Sequence, residues 1–377
     1  MSHSLADLIY MKTLSLLRVS LLSFIALSTL ALQANAQQVF EFYSGVRQNA
    51  MGGAYTAVVN DETAVLLNPA GLGKIRDATF TIADPEVSVG AGAGKIFTLS
   101  NYSKAASFKP QNILNEMNLK GSTGPIHMKA QIFPSIILEN FGFGLHYKQE
   151  HDSYTDAART NYTVRNINDF AFALAYNFRF FGGIVKLGFG AKLIDRTEID
   201  ATVPVATTNL DIVTFGAEGL GVSAVTGIVV TAPVQWLPAF SAAVQDVGGT
   251  SFTLSDGLFN RVGNRRPKHL SQKVDAGVSL SPIVSNHIRM SLTGEIHDIT
   301  NMSEQQDKAK LYHAGAEINF ADFFFLRGGM NQRYYTAGAE FATEQFQLQV
   351  ASYGEEVGTY PAKQEDRRYV FKFTMRY

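Results

Sequence analysis

The chain contains no cysteine, and it has a net charge of only -1, from 32 Lys and Arg against 33 Asp and Glu. The missing cysteine excludes a disulfide framework and Cys-ligated zinc or iron–sulfur sites. The balanced charge argues against nucleic acid as the main partner, because nucleic-acid-binding proteins usually carry a basic excess. After the N-terminal region, no segment has the roughly 18 uninterrupted apolar residues of a membrane-spanning helix. A membrane protein with this sequence would therefore not be helical.

The N-terminal region predicts a secretory signal peptide over residues 1–36. A basic leader is followed by an apolar run over 19–32 and by the cleavage pattern Ala34-Asn35-Ala36, the three parts of such a signal. A membrane anchor is the alternative, but the run is short for a spanning helix of about 20 residues. Residues 1–10 fit a signal leader poorly, which indicates a translation start at Met11.

Most of the mature chain alternates between apolar and polar or small residues. In "DFAFALAYNFRFF" (169–181), large apolar side chains occupy one face, and alanine, Asn177 and Arg179 occupy the other. Side chains point alternately to the two faces of a strand. A soluble β-sandwich and a transmembrane β-barrel both show this pattern. The long runs favour the barrel, because soluble strands usually have about 5–6 residues and barrel spans need about 9–11.

Aromatic residues cluster near strand ends, as at Phe323, Phe324 and Phe325, which fits an interfacial girdle. Short and longer connections mostly alternate along the chain, and the longer ones include predicted loops over 151–167 and 196–217. The raw strand count is fifteen, because residues 78–103 suggest two weak strands, but barrels of this type have even strand numbers. The sequence therefore predicts an all-β fold, a transmembrane antiparallel β-barrel of about 14 strands over residues 77–377.

One segment, "NAMGGAYTAVVNDETAVLLNPAGLG" (49–73), does not alternate. Its glycines permit close backbone approach, Asp61 can cap a short helix, and Asn68 before Pro69 favours a turn. The segment is too small to form a core alone and requires a surrounding wall.

This segment resembles the N-terminal signature of the FadL-like outer-membrane proteins, including the PorV/PorQ-like branch. The resemblance is carried by Met51-Gly52-Gly53-Ala54, by Asp61-Glu62 and by Asn68-Pro69-Ala70-Gly71. It implies a fourteen-stranded barrel in the bacterial outer membrane, with an N-terminal hatch (37–76) inside the lumen. It also implies passive uptake of small hydrophobic compounds such as fatty acids. In the PorV-like branch it implies instead a non-transporting protein that assists secretion or surface attachment of other proteins.

Three further features of the sequence have two interpretations each. Pro134 interrupts a strand, either as a kink that opens a lateral gap or as a bulge or strand start. The polar residues His127, Lys129, Gln131, Arg289, Glu295 and His297 either line a path through the lumen or pair with one another and with the hatch. The basic loop "RVGNRRPKH" (261–269) either binds lipopolysaccharide phosphates or is simply solvated.

Catalytic and metal-binding motifs are missing from the sequence. The eight histidines show no H-E-x-x-H spacing, and there is no G-x-S-x-G nucleophile elbow, although an outer-membrane phospholipase or protease remains an alternative. We therefore expect no enzyme activity, no cofactor and no metal site. The expected partners are outer-membrane lipid, a small hydrophobic ligand or lipopolysaccharide, and, in the secretion alternative, a secreted protein.

Overall fold

The computed structural model of the protein describes residues 41–98, 100–259, 262, 265–301, 304–358 and 361–377. The predicted signal peptide lies outside the described residues. In the described part of the chain, no helix is both long and apolar enough to cross a bilayer.

Within these residues, fourteen antiparallel strands close into a barrel, because each strand pairs with its sequence neighbours and the last also pairs with the first. The first two strands each consist of two halves. This confirms the predicted fold class and strand number. The strands are β1 (Thr79–Ala83 and Glu86–Gly90), β2 (Ile126–Ile132 and Ser135–Leu138), β3 (Phe141–Thr155), β4 (Asn161–Phe180), β5 (Val185–Pro204), β6 (Gly216–Thr231), β7 (Ala239–Gln245), β8 (Lys273–Leu280), β9 (Ile288–Ile296), β10 (Tyr312–Phe320), β11 (Phe324–Asn331), β12 (Tyr334–Ala342), β13 (Phe346–Glu356) and β14 (Glu365–Arg376).

The barrel has large apolar side chains on its outer surface and small or polar side chains in its lumen. On β4, Leu174, Tyr176 and Phe178 are exposed on the outer surface, and the alternating residues Ala175 and Asn177 are buried. Buried charged side chains such as Lys148 and Arg196 occupy the lumen. This arrangement suits a wall that faces lipid outside and polar groups inside.

Connections at the two ends of the barrel differ in length. The end where β1 begins and β14 finishes, here called the turn end, has connections of two to seven residues: 139–140, 181–184, 232–238, 281–287, 321–323 and 343–345. The opposite end, here called the loop end, carries longer connections at 91–125, 205–215, 246–272 and 297–311. A further short strand, Ile283–Ser285, pairs with β9 at the turn end.

The prediction of two weak strands over residues 78–103 is wrong. Residues 79–90 form the single strand β1, and the chain then continues in three helices that cover the loop end, α2 (Ala91–Ile96), α3 (Tyr102–Ala106) and α4 (Pro110–Lys120). The other described helices are α1 (Val46–Ala50), which precedes β1, and α5 (Ile212–Phe215), which follows β5. There are 3₁₀ turns at Glu62–Val65, Pro69–Lys74, Phe181–Gly183 and Lys308–Leu311.

Helices α2 to α4 form a cap with its own apolar core. Ile113, Leu114 and Met117 are fully buried and pack with Tyr162 and Val203. The strands that carry these last two residues extend further than the sequence predicted, since 151–167 and 196–217 were expected to be loops. The predicted loops carry polar residues on both strand faces, which is why their alternation was not recognised. The cap rests on these extensions.

Residues 41–76, here called the inner segment, lie inside the barrel. The 3₁₀ turn Pro69–Lys74 contacts β4, β5 and β6, and α1 contacts β11 to β14. The apolar side chains of the segment form a cluster with the wall, which includes Met51, Val59, Leu66 and Leu72, and Phe133 of β2. An apolar core therefore forms between the inner segment and the wall.

Candidate functional site

The inner segment is shaped by residues that end or cap its short helices. Gly52 and Gly53 follow α1 with φ of +67° and +85°, a backbone conformation that glycine adopts without steric cost. The Asp61 carboxylate accepts a hydrogen bond from Thr63 N at 3.1 Å and caps the first 3₁₀ turn. Asn68 Oδ1 accepts one from Ala70 N at 3.1 Å, and Pro69 begins the second turn. Two compact turns therefore follow α1 in quick succession.

Two glycines of the wall allow the backbone of this segment to approach closely. A Cβ on Gly188 of β5 would lie 2.6 Å from Pro69 Cβ, and a Cβ on Gly227 of β6 would lie 2.8 Å from Asn68 Cγ. Both distances are shorter than real Cβ contacts, so the backbone of the Asn-Pro-Ala-Gly motif approaches the wall as only glycine permits. Sequence reasoning missed these wall glycines, because a glycine on the small face of an alternating strand looks like any other small residue.

The other residues of the motif are buried. Met51, Ala54 and Ala70 have no exposed surface, and Pro69 and Gly71 are buried as well. Gly71 packs against Val59 inside the segment. The Met-Gly-Gly-Ala and Asn-Pro-Ala-Gly residues are therefore packing and turn residues, whereas the acidic pair Asp61 and Glu62 lines the turn-end side of the segment.

Carboxylate and imidazole groups of the wall bind the backbone of the inner segment. Glu295 Oε2 accepts hydrogen bonds from Tyr55 N at 2.7 Å and Thr56 N at 2.8 Å. His297 Nε2 lies 3.2 Å from Gly53 O, and His313 Nδ1 lies 2.8 Å from Gly52 O. The two imidazole rings stack with centroids 3.9 Å apart. Predicted lumen residues Glu295 and His297 thus contact the inner segment.

Charged pairs add further contacts between the segment and the wall. Arg47 donates two hydrogen bonds to Glu317 of β10, at 2.8 and 2.9 Å. Lys372 of β14 donates to Glu62 at 3.1 Å. Arginine and carboxylate groups in this bidentate geometry form strong, oriented hydrogen bonds. The segment is therefore tied to the wall at two separate strands, β10 and β14.

The remaining predicted lumen residues separate into two groups. Lys129 Nζ donates to Ser44 O at 2.8 Å, and Gln131 Nε2 donates to the same carbonyl at 2.9 Å. Arg289 lies apart from the segment at the turn end, where it is 3.7 Å from Asp322 and largely exposed. The structure therefore brings five of the six residues to the loop-end half of the lumen and leaves Arg289 at the other end.

His127 lies in an ionic network that the sequence did not indicate. Its Nδ1 is 2.7 Å from Asp152 Oδ1, and Ser88 Oγ is 3.1 Å from its Nε2. With Glu150 these residues place three possible metal ligands within 4.8 Å of one another. Arg368 lies 3.2 Å from Asp152, and Lys148 lies 3.2 Å from Glu150. These two cations already balance the carboxylates, so the arrangement fits an ion-pair network better than a metal site.

Pro134 interrupts β2 opposite an irregularity in β1. The register of β2 with β3 is the same on both sides of the proline, but its register with β1 shifts by one residue between Thr81 and Glu86. The Phe133 side chain is fully buried and packs inside the barrel, against Tyr43 of the inner segment and next to Gly144 of β3. Its backbone N–H is bound by Asp84. The pairing of the described wall is therefore irregular at Pro134, with the buried Phe133 side chain on its lumenal side.

Two chambers flank the inner segment. The loop-end chamber has a volume of about 910 Å³, and the turn-end chamber has a volume of about 1010 Å³. Tyr43, Gln48, Tyr55 and Leu67 line both chambers, and they are called the partition below. The Tyr55 hydroxyl binds Asp61, and Arg47 lies over the Tyr55 ring at 5.3 Å. The inner segment therefore separates two water-accessible spaces by a single layer of side chains.

The described part of the basic loop is bound locally. Lys268 pairs with Asp200, and Arg266 pairs with Asp256. Arg265 donates to the carbonyl oxygens of Val213 and Thr214. Phosphate binding by this loop stays a prediction.

Comparison with solved structures identifies the fold. The toluene transporter TbuX of Ralstonia pickettii matches at a TM-score of 0.52 and 14% identity, over 89% of this chain and 98% of that one. The toluene transporter TodX of Pseudomonas putida matches at 0.53 and 10%, over 90% and 99%. The chain has the FadL-like outer-membrane barrel fold. The CymD monoaromatic hydrocarbon channel matches at 0.51 and 10%, over 88% and 96%.

The comparisons confirm the FadL-like resemblance at the level of the fold. No protein-family model matches the chain, and no curated protein matches it. Sequence identities of 10–14% with similar length mean that the barrel is shared while most side chains differ. The assignment to the PorV/PorQ-like branch stays a prediction.

Proposed function

We propose that the protein is an outer-membrane channel for the passive uptake of small hydrophobic compounds, and that the inner segment is its hatch. The observation that carries the proposal is the partition, where Tyr43, Gln48, Tyr55 and Leu67 are shared by the two chambers. A compound that passes this single layer of side chains has crossed the barrel. No catalytic step is needed for such transport, and we propose a channel rather than an enzyme.

The surroundings of the partition favour apolar compounds. Tyr43 and Tyr55 belong to the apolar cluster formed with Val59, Leu66 and Phe133, and Leu67 packs against it. Removing apolar surface from water is favourable by about 25 cal/mol per Å², whereas a hydrated ion loses solvation in the same place. The partition is therefore easier to cross for a compound such as toluene than for a hydrophilic solute.

The solved structures support this proposal through their own described activities. TbuX and TodX are described as toluene transporters, and CymD is described as a monoaromatic hydrocarbon channel. All three share the barrel over nearly their whole length. We infer that this chain transports compounds of the same general kind, namely small hydrophobic molecules.

The anchoring contacts assign a role to the predicted lumen residues. Lys129, Gln131, Glu295 and His297 hold the backbone of the hatch, so we propose that they fix its position rather than line the path. The path then runs through the partition, and the hatch stays seated during passage. Because the Phe133 side chain is fully buried beside Pro134, we propose no route through the wall there. Pro134→Ala is expected to leave uptake within about twofold of the wild-type rate.

Uptake of labelled toluene by cells with and without the gene tests the function. We expect the gene to raise the initial uptake rate, and a restored copy on a plasmid to recover it. Equal rates, together with loss of a surface protein in cells without the gene, would reject the channel and favour the secretion-accessory alternative.

A further inference from the structure

The two chambers carry charge excesses of opposite sign. Among the described residues that line the turn-end chamber, nine are Lys or Arg and five are Asp or Glu. Among those that line the loop-end chamber, five are Lys or Arg and ten are Asp or Glu. A solute that crosses the partition therefore meets both signs of potential in turn.

The basic excess is concentrated on one side of the turn-end chamber. Arg179 of β4 and Lys186 of β5 are directly opposite each other in the strand register, where like charges are destabilising. Lys74 and Arg76, which follow the Asn-Pro-Ala-Gly motif, line the same chamber. The carboxylate that pairs with Arg179 is Glu139, which is outside the chamber lining and mostly exposed. Within the described residues, no carboxylate forms an ion pair with Lys74, Arg76 or Lys186.

Part of the acidic excess of the loop-end chamber is stabilised by dipoles, whereas six of its carboxylates form ion pairs: Glu41, Asp152, Asp200, Glu295, Asp307 and Asp366. Asp246 accepts hydrogen bonds from the hydroxyls of Ser223 and Thr250, at 2.7 and 2.8 Å. Asp275 accepts one from Asp298 N at 2.9 Å. Glu295 accepts the two backbone N–H groups of the hatch described above. Hydroxyl and amide donors stabilise a carboxylate without cancelling its charge, so Asp246 and Asp275 add to the negative potential of a lining with twice as many carboxylates as Lys and Arg side chains.

We propose that the two chambers act in series as a charge filter that restricts passage to uncharged hydrophobic compounds. The inference rests on the proposed function and specifies its substrate class. An anion is depleted from the acidic loop-end chamber, and a cation is depleted from the basic turn-end chamber, whereas a neutral compound is depleted from neither. Clefts lined by one sign of charge change local ion concentrations by about 10 to 10³. Screening acts over roughly 8 Å at physiological salt, so these confined chambers keep much of the effect.

Three probes of similar size test the filter: toluene, benzoate and benzylammonium, each measured in a host that lacks general porins. Two variants remove charge from one chamber each. Asp246→Asn/Asp275→Asn acts on the loop-end chamber, and Arg76→Gln/Lys186→Gln acts on the turn-end chamber. Lys120→Gln is the control, because Lys120 is an exposed residue at the end of α4. Each variant is first checked for the heat-modifiable gel mobility of a folded barrel.

For the wild-type protein we expect gene-dependent uptake of either ion to be at least tenfold slower than that of toluene. The loop-end variant should raise benzoate uptake at least threefold and leave benzylammonium unchanged, and the turn-end variant should do the reverse. Wild-type benzoate uptake as fast as that of toluene would overturn the filter, as would equal gains of both ions in both variants. A missing gene effect on toluene alone rejects the channel for hydrocarbons, while the crossed response of the two ions still decides whether the filter exists.

Discussion

A disulfide between the hatch and the wall shows whether the hatch stays seated during passage. Thr56 Oγ1 and Ser241 Oγ lie 3.0 Å apart, and the two residues are separated by 185 positions in sequence. Replacing both by cysteine places the two sulfur atoms close to bonding distance, in a chain with no other cysteine. The double variant Thr56→Cys/Ser241→Cys therefore tests this one contact without competing thiols.

The expected magnitude follows from the contacts of the hatch. Glu295 accepts two hydrogen bonds from its backbone, Arg47 donates two to Glu317, and Lys372 donates one to Glu62. Hydrogen bonds to charged groups contribute about 1.5–3 kcal/mol each, so unseating the hatch costs on the order of 10 kcal/mol. That cost leaves about one molecule in 10⁷ unseated. The disulfide adds about 5 kcal/mol by restricting the unfolded chain, with little effect on a hatch that is already seated.

Toluene uptake is measured in cells after oxidation and again after reduction, with each single cysteine variant as a control. We expect the oxidised double variant to keep at least half of its reduced rate, while its urea midpoint rises. Loss of uptake on oxidation, recovered by dithiothreitol, would refute the seated hatch and show that it leaves its place.

Three further predictions concern the stability of the hatch, the wall and the cap. Gly52→Ala is expected to lower the stability of the barrel by about 3 kcal/mol, because φ is +67° and the new Cβ would lie 2.6 Å from Met330 N. Gly94→Ala is the control, because a Cβ at Gly94 would have nothing within 4 Å. Equal urea midpoints for the two variants would contradict the close approach of Gly52 to the wall. Phe133→Ala should cost about 3–5 kcal/mol, far more than Phe181→Ala at a side chain that is 80% exposed. Similar urea midpoints for the two variants would show that Phe133 does not stabilise the core between the hatch and the wall. Hydrogen bonds from Lys104 and Asn101 hold the pKa of Glu116 below its ordinary value. The stabilisation of the cap by this group is therefore present above about pH 4.3 and is lost as the pH falls through the lower folded pKa. Limited proteolysis of the cap should increase at acidic pH in the wild type, and Glu116→Gln, which lacks the titrating group, should show no such change.

Local signals in the sequence predicted the wall well. The alternation in 169–181 correctly assigned Phe172, Leu174 and Tyr176 to the outer face, because a barrel strand keeps a period of two whatever its neighbours are. The end of that alternation was less informative, since strand extensions beyond the membrane carry polar residues on both faces. The predicted loops over 151–167 and 196–217 were too wide for this reason, since the connections span only 156–160 and 205–215.

Long-range contacts of the hatch had no local signal. Arg47 meets Glu317 across 270 positions, and nothing near either residue indicates the other. The wall glycines Gly188 and Gly227 are recognisable only when the Asn-Pro-Ala-Gly motif is already placed against them. The helical cap was missed because α2 begins in a glycine-rich stretch with weak helix propensity, where burial against the barrel decides the structure.

Leu67→Gln tests the partition as the path most directly, since Leu67 lines both chambers. The polar side chain removes apolar surface from the one layer that a hydrophobic compound must cross, at a cost of about 1–2 kcal/mol. We expect the initial rate of toluene uptake to fall about tenfold, with no loss of folded barrel, while Leu119→Gln on the exposed face of α4 keeps the wild-type rate. A Leu67→Gln rate equal to that of Leu119→Gln would contradict a path through the partition.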